Sequence, residues 1–157
     1  MKNTSVSKYI NSLSQEELQK EILMLLKKLP AVKEYYKMEL GSVTQREQLY
    51  KKAKVEIAKR YATKSYRRPR KPRIQKINKL LTEMKKKSIF DHEMVDLYLF
   101  DLESCIKFSM EYGVITLVIQ NHIDQVYKKA DAIIRENKLQ DMFQDRINWI
   151  EENQFLF

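Results

Sequence analysis

The stretch KSYRRPRKPRIQK, from Lys64 to Lys76, sets seven basic residues among thirteen, with two prolines and no acid. Residues of this type at this density are suited to holding phosphate. An arginine guanidinium presents a planar fork of donors that matches two phosphate oxygens, and arginine predominates at the centre of the stretch. Tyr61 and Tyr66 are near enough in sequence to stack on bases or on the guanidinium groups. The prolines favour extended backbone over helix. Lys64, Tyr66, Arg67, Arg68, Arg70, Lys71, Arg73 and Lys76 are therefore the candidate anion-binding or nucleic-acid-binding residues, with Lys51, Lys52, Lys54 and Lys59 extending the positive surface. The competing reading is a solvated loop between two helices.

Other chemistry has less to work with. His92 and Asp96 stand four residues apart, a helical spacing that could place two metal ligands on one face, and His122 could add a third from a neighbouring helix. A catalytic metal needs about three protein ligands and an open position. The plainer reading is that Asp91 caps a helix whose acidic first turn complements its dipole. Glu93, Asp96 and Glu103 fall near one face of the same segment, but no Glu-x-x-His pair is present to build a di-metal bundle. Nor is there a Gly-rich phosphate loop, a nucleophile elbow or a Cys/His dyad. Cys105, the sole cysteine, lies in an apolar stretch and reads as a buried, inert thiol. A helix-turn-helix is conceivable, with Gly41 as the turn and Thr44, Gln45, Arg46 and Gln48 facing bases. Thr44 to Glu47 is more simply a capping box. The expectation is a protein that is not an enzyme, with no catalytic residues, no metal and no cofactor.

Composition narrows the architecture. A chain of 157 residues is long enough to bury roughly 70% of its unfolded surface in one domain. It holds 2 Gly and 3 Pro, where about eleven and eight would be average, so turn-rich sandwiches and barrels are excluded. Residues 1–90 hold 24 Lys+Arg and 8 Asp+Glu, whereas residues 91–157 hold 6 and 13. Such asymmetry points either to an acidic partner or to the two halves facing each other. No apolar run approaches the ~18 residues of a membrane span, and the N-terminus has no signal-peptide core. A cytoplasmic protein without a membrane partner is expected.

The elements that must position these residues are helices. Ser14 and Glu17 form a capping box ahead of Leu18, Ile22, Leu25, Leu26 and Leu29 at helical spacing. Pro30 ends that helix and starts the next, which stops at Gly41. A helix from Thr44 carries Leu49, Ala53, Ile57 and Tyr61. After the basic linker, 62–73, come Ile74, Ile77, Leu81 and Met84. Residues 86–91 form an internal boundary before a helix running from Asp91 to Gly113. Ile115, Ile119, Ile123, Val126, Ala130 and Ile133 carry one helical phase through the β-branched VITLVI, and Leu139, Phe143, Ile147 and Ile150 close the series. The fold predicted is all-α: about seven helices in a single domain, 1–157, as a compact bundle or a short helical-repeat-like stack. The tail Phe155–Phe157 is expected to fold back on it.

LSQEELQKEILMLLKK, VKEYY, LYKKAKVEIAKRY, the basic link into IQKINKLLTEM, and EYGVITLVIQNHIDQVYKKADAII follow in that order. Together they resemble an uncharacterised family of small all-helical bacterial proteins, a domain of unknown function. The C-terminal NWIEENQFLF stands outside the family's pattern. The resemblance implies an all-α cytoplasmic bacterial protein and transfers no catalytic residue. The functional expectation is a basic surface that binds nucleic-acid backbone, or another acidic partner, without sequence preference. The alternative is a protein-interaction scaffold or a homo-oligomeric module, since nine tyrosines could furnish a half-wet interface to a protein partner or a homodimer.

Overall fold

The computed structural model describes residues 4–88 and 90–154. The described residues form eight helices and no strand. They gather into two compact units, Met1–Gly41 and Ser42–Phe157. The all-α fold of about seven helices expected from the sequence is what the described residues form, with one helix more. The addition is α1, Thr4–Ser12, a short polar segment that carries neither a capping box nor a long apolar stripe.

The first unit continues with α2, Gln15–Lys28, and α3, Pro30–Glu39. The capping box forms as its residues dictate: the Glu17 amide donates to Ser14 Oγ at 3.3 Å, and the Ser14 amide donates to Glu17 Oε2 at 2.8 Å. Those bonds from Ser14 hold the Glu17 carboxyl below its usual pKa. Pro30 opens α3. Gly41 does not take up the left-handed conformation expected of it, and α3 ends through Leu40 in the right-handed region. Neither α2 nor α3 buries a residue. Leu23 is 58% exposed, which fits a segment of roughly 40 residues, too small to enclose a core.

The second unit comprises α4, Val43–Tyr61; α5, Ile74–Lys87; α6, Asp91–Tyr112; α7, Leu117–Asn137; and α8, Gln140–Gln154. Helix α6 packs against α4, α5, α7 and α8, so this unit is a bundle around a central helix and not a linear stack, in which each element would meet only its neighbours. Its sequence explains the position: Met94, Val95, Leu97, Tyr98, Leu99, Leu102, Cys105, Ile106 and Phe108 are all buried, and a helix whose apolar residues cover more than one face is packed from several sides. Helices α4 and α6 run in the same direction, because Arg46 meets Glu93, Lys54 meets Asp96 and Tyr61 meets Asp101.

In this unit three helix starts differ from the sequence expectation. Ser42, not Thr44, caps α4, accepting from the Gln45 amide. Thr116 caps α7 in the same way, so Val114–Thr116 are not helical and the phase expected from Ile115 begins at Leu117. In α6, Asp91 is the first helical residue and Phe90 occupies the cap. Gly113 ends α6 where the sequence places that end and adopts φ 61°, while Lys138 adopts φ 55° at the end of α7. Near the chain's end, Phe143 and Ile150 are buried and Leu139 and Ile147 pack against the core. The tail Phe155–Phe157 lies outside the described residues.

Candidate functional site

The basic segment connects the last turn of α4 to the first turn of α5 and folds into a loop, not the extended arm that its prolines suggest. Two hydroxyls organise it. Thr63 Oγ1 accepts from the amides of Ser65 and Arg70, at 3.4 and 3.1 Å, and Ser65 Oγ accepts from the Arg68 amide at 3.3 Å. Seven extended residues would span roughly 23 Å, so the bond from Arg70 back to Thr63 closes the chain on itself. A stack of rings ties the loop to the bundle. Tyr66, 73% exposed, lies 5.6 Å from Tyr112, which lies 5.1 Å from Phe108, which lies 6.1 Å from Tyr61. At its far end the loop is anchored by buried Ile74.

Lys64, Arg67, Arg68, Arg70, Lys71, Arg73 and Lys76 are all exposed. None of them forms an ion pair with a carboxylate among the described residues. Arg70 and Arg73 converge with Lys59 and Arg60 of α4 on a cleft of about 60 Å³. Arg73 and Lys76 also line a shallow recess of about 340 Å³ beside Val118. Arg60 did not stand out in the sequence as part of this surface. Its signal was its place in the last turn of α4, next to the start of the loop.

Two residues drawn into the basic surface on sequence grounds belong elsewhere. Lys54 is paired with Asp96 at 2.6 Å and leans over the Phe100 ring. Tyr61 is no stacking platform: it is buried, and its hydroxyl donates to Asp101 Oδ1 at 2.8 Å. Burial and the Asp101 charge push that hydroxyl's pKa well above 10.0. The other oxygen of Asp101 faces His122 Nε2 at 2.8 Å. A carboxylate only accepts, so Nε2–H donates; Nδ1 is buried and without a hydrogen-bond partner among the described residues. Asp101 thus joins α4, α6 and α7 inside the core. His122 serves this network and does not join His92, which is exposed on α6. Among the described residues no group of three or more potential ligands is placed to hold a metal. Cys105 is buried, and burial pushes its thiol up to about 12.

The acidic face of α6 meets cations and is only partly open to solvent. Arg146 of α8 donates to Asp96 Oδ1 at 2.6 Å and to Glu103 Oε1 at 2.5 Å. Burial works against its charge, but the bonds to Glu103 and Asp96 outweigh that and raise its pKa. Arg46, which a helix-turn-helix would aim at bases, approaches Glu93 at 3.6 Å and lies over the Phe90 ring at 4.6 Å. Part of the basic half is therefore neutralised by the acidic half within the second unit.

Fold and site together define a class: an all-helical protein whose second unit is a bundle around a central helix and presents a folded arginine-rich loop. The chain belongs to DUF6155, a family of unknown function, which it matches over residues 1–156. That span takes in most of the C-terminal NWIEENQFLF, which had seemed to depart from the family's pattern. No curated protein and no solved structure matches the chain.

Proposed function

We propose that this protein is a non-enzymatic binder of the nucleic-acid backbone, acting through the loop 62–73 without sequence preference. One observation carries the proposal: the loop's cations have no carboxylate partner among the described residues, while Arg46, Lys54 and Arg146 all have one. Unpaired guanidinium groups keep their donors for phosphate oxygens. Tyr66, tilted against Tyr112 and 73% exposed, leaves most of its ring open to a base. The reading carries with it a cytoplasmic location in a bacterial cell, where nucleic acid is within reach. No described helix is long and apolar enough to cross a membrane.

Fluorescence anisotropy with a labelled duplex tests the proposal. If about five side chains each neutralise a phosphate, affinity falls several hundredfold between 50 and 200 mM salt, at a slope of about −0.9 per contact. Scrambling the duplex sequence leaves affinity unchanged. Folded protein that binds neither duplex nor single strand at 50 mM salt would leave the loop as a solvated connection.

A second reading, a protein-interaction or homo-oligomeric module, is favoured by the first unit. Val6, Tyr9, Ile10, Ile22, Leu23 and Leu25 are exposed there, and α2 and α3 bury nothing. Light scattering coupled to size exclusion tests the homo-oligomeric form, which a strictly monomeric mass would contradict.

A further inference from the structure

We infer that Lys59, Arg60, Arg70 and Arg73 form an oxyanion site at the foot of the loop, taking one tetrahedral phosphate dianion, either a monoester or orthophosphate. This deepens the nucleic-acid reading and rests on it for the terminal phosphate of a strand as one source of the ligand; free orthophosphate is the other.

Size comes first. The four side chains surround about 60 Å³, far below the ~300–1,000 Å³ of pockets that take drug-sized ligands. A base or a nucleoside does not fit, whereas a single phosphate group does. Charge comes second. Glu56 is the one carboxylate paired with these cations among the described residues, meeting Lys59 Nζ at 2.8 Å and Arg60 Nη2 at 3.3 Å. Four cations against one carboxylate leave an excess of three. An internal phosphodiester brings one negative charge, and a monoester brings about −1.5 to −2 at neutral pH, so the monoester matches the excess better.

The helix ends do not alter that balance. The C-terminus of α4 contributes about −0.5 of a charge and the N-terminus of α5 about +0.5. At the start of α5, Arg73 occupies the cap, no side chain bonds the exposed amides, and the first turn holds no acid. No side-chain carboxylate therefore competes with a ligand at the start of α5. Like charges brought this close repel one another, and an anion between them relieves the repulsion. Geometry comes third. Lys59 and Arg60 sit on the last turn of a helix, and the Arg70 amide is held by Thr63 Oγ1 at 3.1 Å, so both sides of the cleft have fixed backbones before a ligand arrives.

The test titrates inorganic phosphate into the full chain at constant ionic strength, followed by calorimetry, with circular dichroism to confirm folding. Two double variants remove the same charge from the loop: Arg70→Ser with Arg73→Ser, and Arg67→Ser with Arg68→Ser. The site predicts saturable binding of one phosphate, weakened at least roughly tenfold by the first pair and less than about twofold by the second. Thr63→Val removes no charge but releases the Arg70 amide, and should weaken phosphate severalfold. Equal losses from the two pairs, or no saturable binding by folded wild-type protein, overturn the site.

Strands with a 5′-phosphate and a 5′-hydroxyl then separate the two sources. Tighter binding of the phosphorylated strand, competed away by orthophosphate, assigns the ligand to strand ends. Equal binding of both strands, with orthophosphate still bound, assigns it to free phosphate. Phosphate bound without any affinity for duplex would overturn the nucleic-acid reading and leave the site standing. Salt-dependent duplex binding without saturable phosphate would do the reverse.

Discussion

The two ends of α4 carry cations of the same kind into different company. Along its first twelve residues, Arg46 and Lys54 lie against α6 where that helix supplies Glu93 and Asp96. By its last turn the facing residues of α6 have become Asp101, buried and bonded to Tyr61 and His122, and then Phe108. The acids that could face the loop have run out or are already engaged. Charge in the first region holds helices together; in the second, Lys59 and Arg60 meet only Glu56 of their own helix, and the loop cations that follow have no carboxylate among the described residues. A count of basic residues along the sequence cannot separate these two fates. The direction and register of the neighbouring helix decide them.

That contrast can be broken at several depths. The largest effect is expected from Asp101→Ala, which leaves the Tyr61 hydroxyl and the His122 ring nitrogen buried without their shared acceptor. Removing one partner from a buried polar network costs about 3–5 kcal/mol, measured by urea unfolding. A loss under about 1 kcal/mol would show that the network does not hold α4, α6 and α7 together.

Alkaline unfolding probes the same interior. Burial pushes the Tyr50 hydroxyl from 10.0 to about 12 and the Cys105 thiol from 9.0 to about 12. Both are neutral when native, so rising pH ionises them first in the unfolded chain. Their contribution is complete below about pH 9 and is lost as the pH climbs through 9 to 12. A thiol reagent should label Cys105 only as the protein unfolds. Rapid labelling of native protein at neutral pH would contradict its burial.

Arg146→Met tests the paired cations, because it strands Asp96 and Glu103. The cluster is partly exposed, with 29% of the Arg146 side chain accessible, so the expected loss is a screened ~1–2 kcal/mol that shrinks as salt is added. A loss that did not shrink would point to packing instead of charge. The smallest effect on stability is predicted for the loop. Changing Arg67, Arg68, Arg70 and Arg73 together to Ser should move unfolding by about 0.5 kcal/mol or less, since these exposed side chains have no partner among the described residues to lose.

Much of this arrangement was legible before the fold. The apolar stripe Ala53, Ile57 and Tyr61, the capping box at Ser14 and the terminator at Gly113 each depend on neighbours a few residues away, and local spacing reports such neighbours faithfully. The role of Asp101 was not legible, although it had a signal. It lies four residues from Leu97 and four from Cys105, on a face that spacing assigns to the core. Its partners, Tyr61 and His122, are 40 and 21 residues away, and only the packing of three helices brings them together. The loop was legible as charge and not as shape. The hydroxyls of Thr63 and Ser65 close it, and spacing gives no measure of a bond from Arg70 back to Thr63. The Lys59–Arg60 side of the cleft depended on the same closure.

The most direct test sets the two regions against each other in one binding measurement. Duplex affinity is followed by anisotropy from 50 to 200 mM salt for three proteins: wild type, Lys54→Met, and the loop variant with Arg67, Arg68, Arg70 and Arg73 changed to Ser. Each phosphate contact contributes about −0.9 to the slope of log affinity against log salt. The account predicts that the loop variant loses most of that slope, while Lys54→Met, whose charge is already taken by Asp96, keeps the wild-type slope. Equal slopes for the loop variant and the wild type, in folded protein, would contradict the claim that the loop is where the chain meets phosphate.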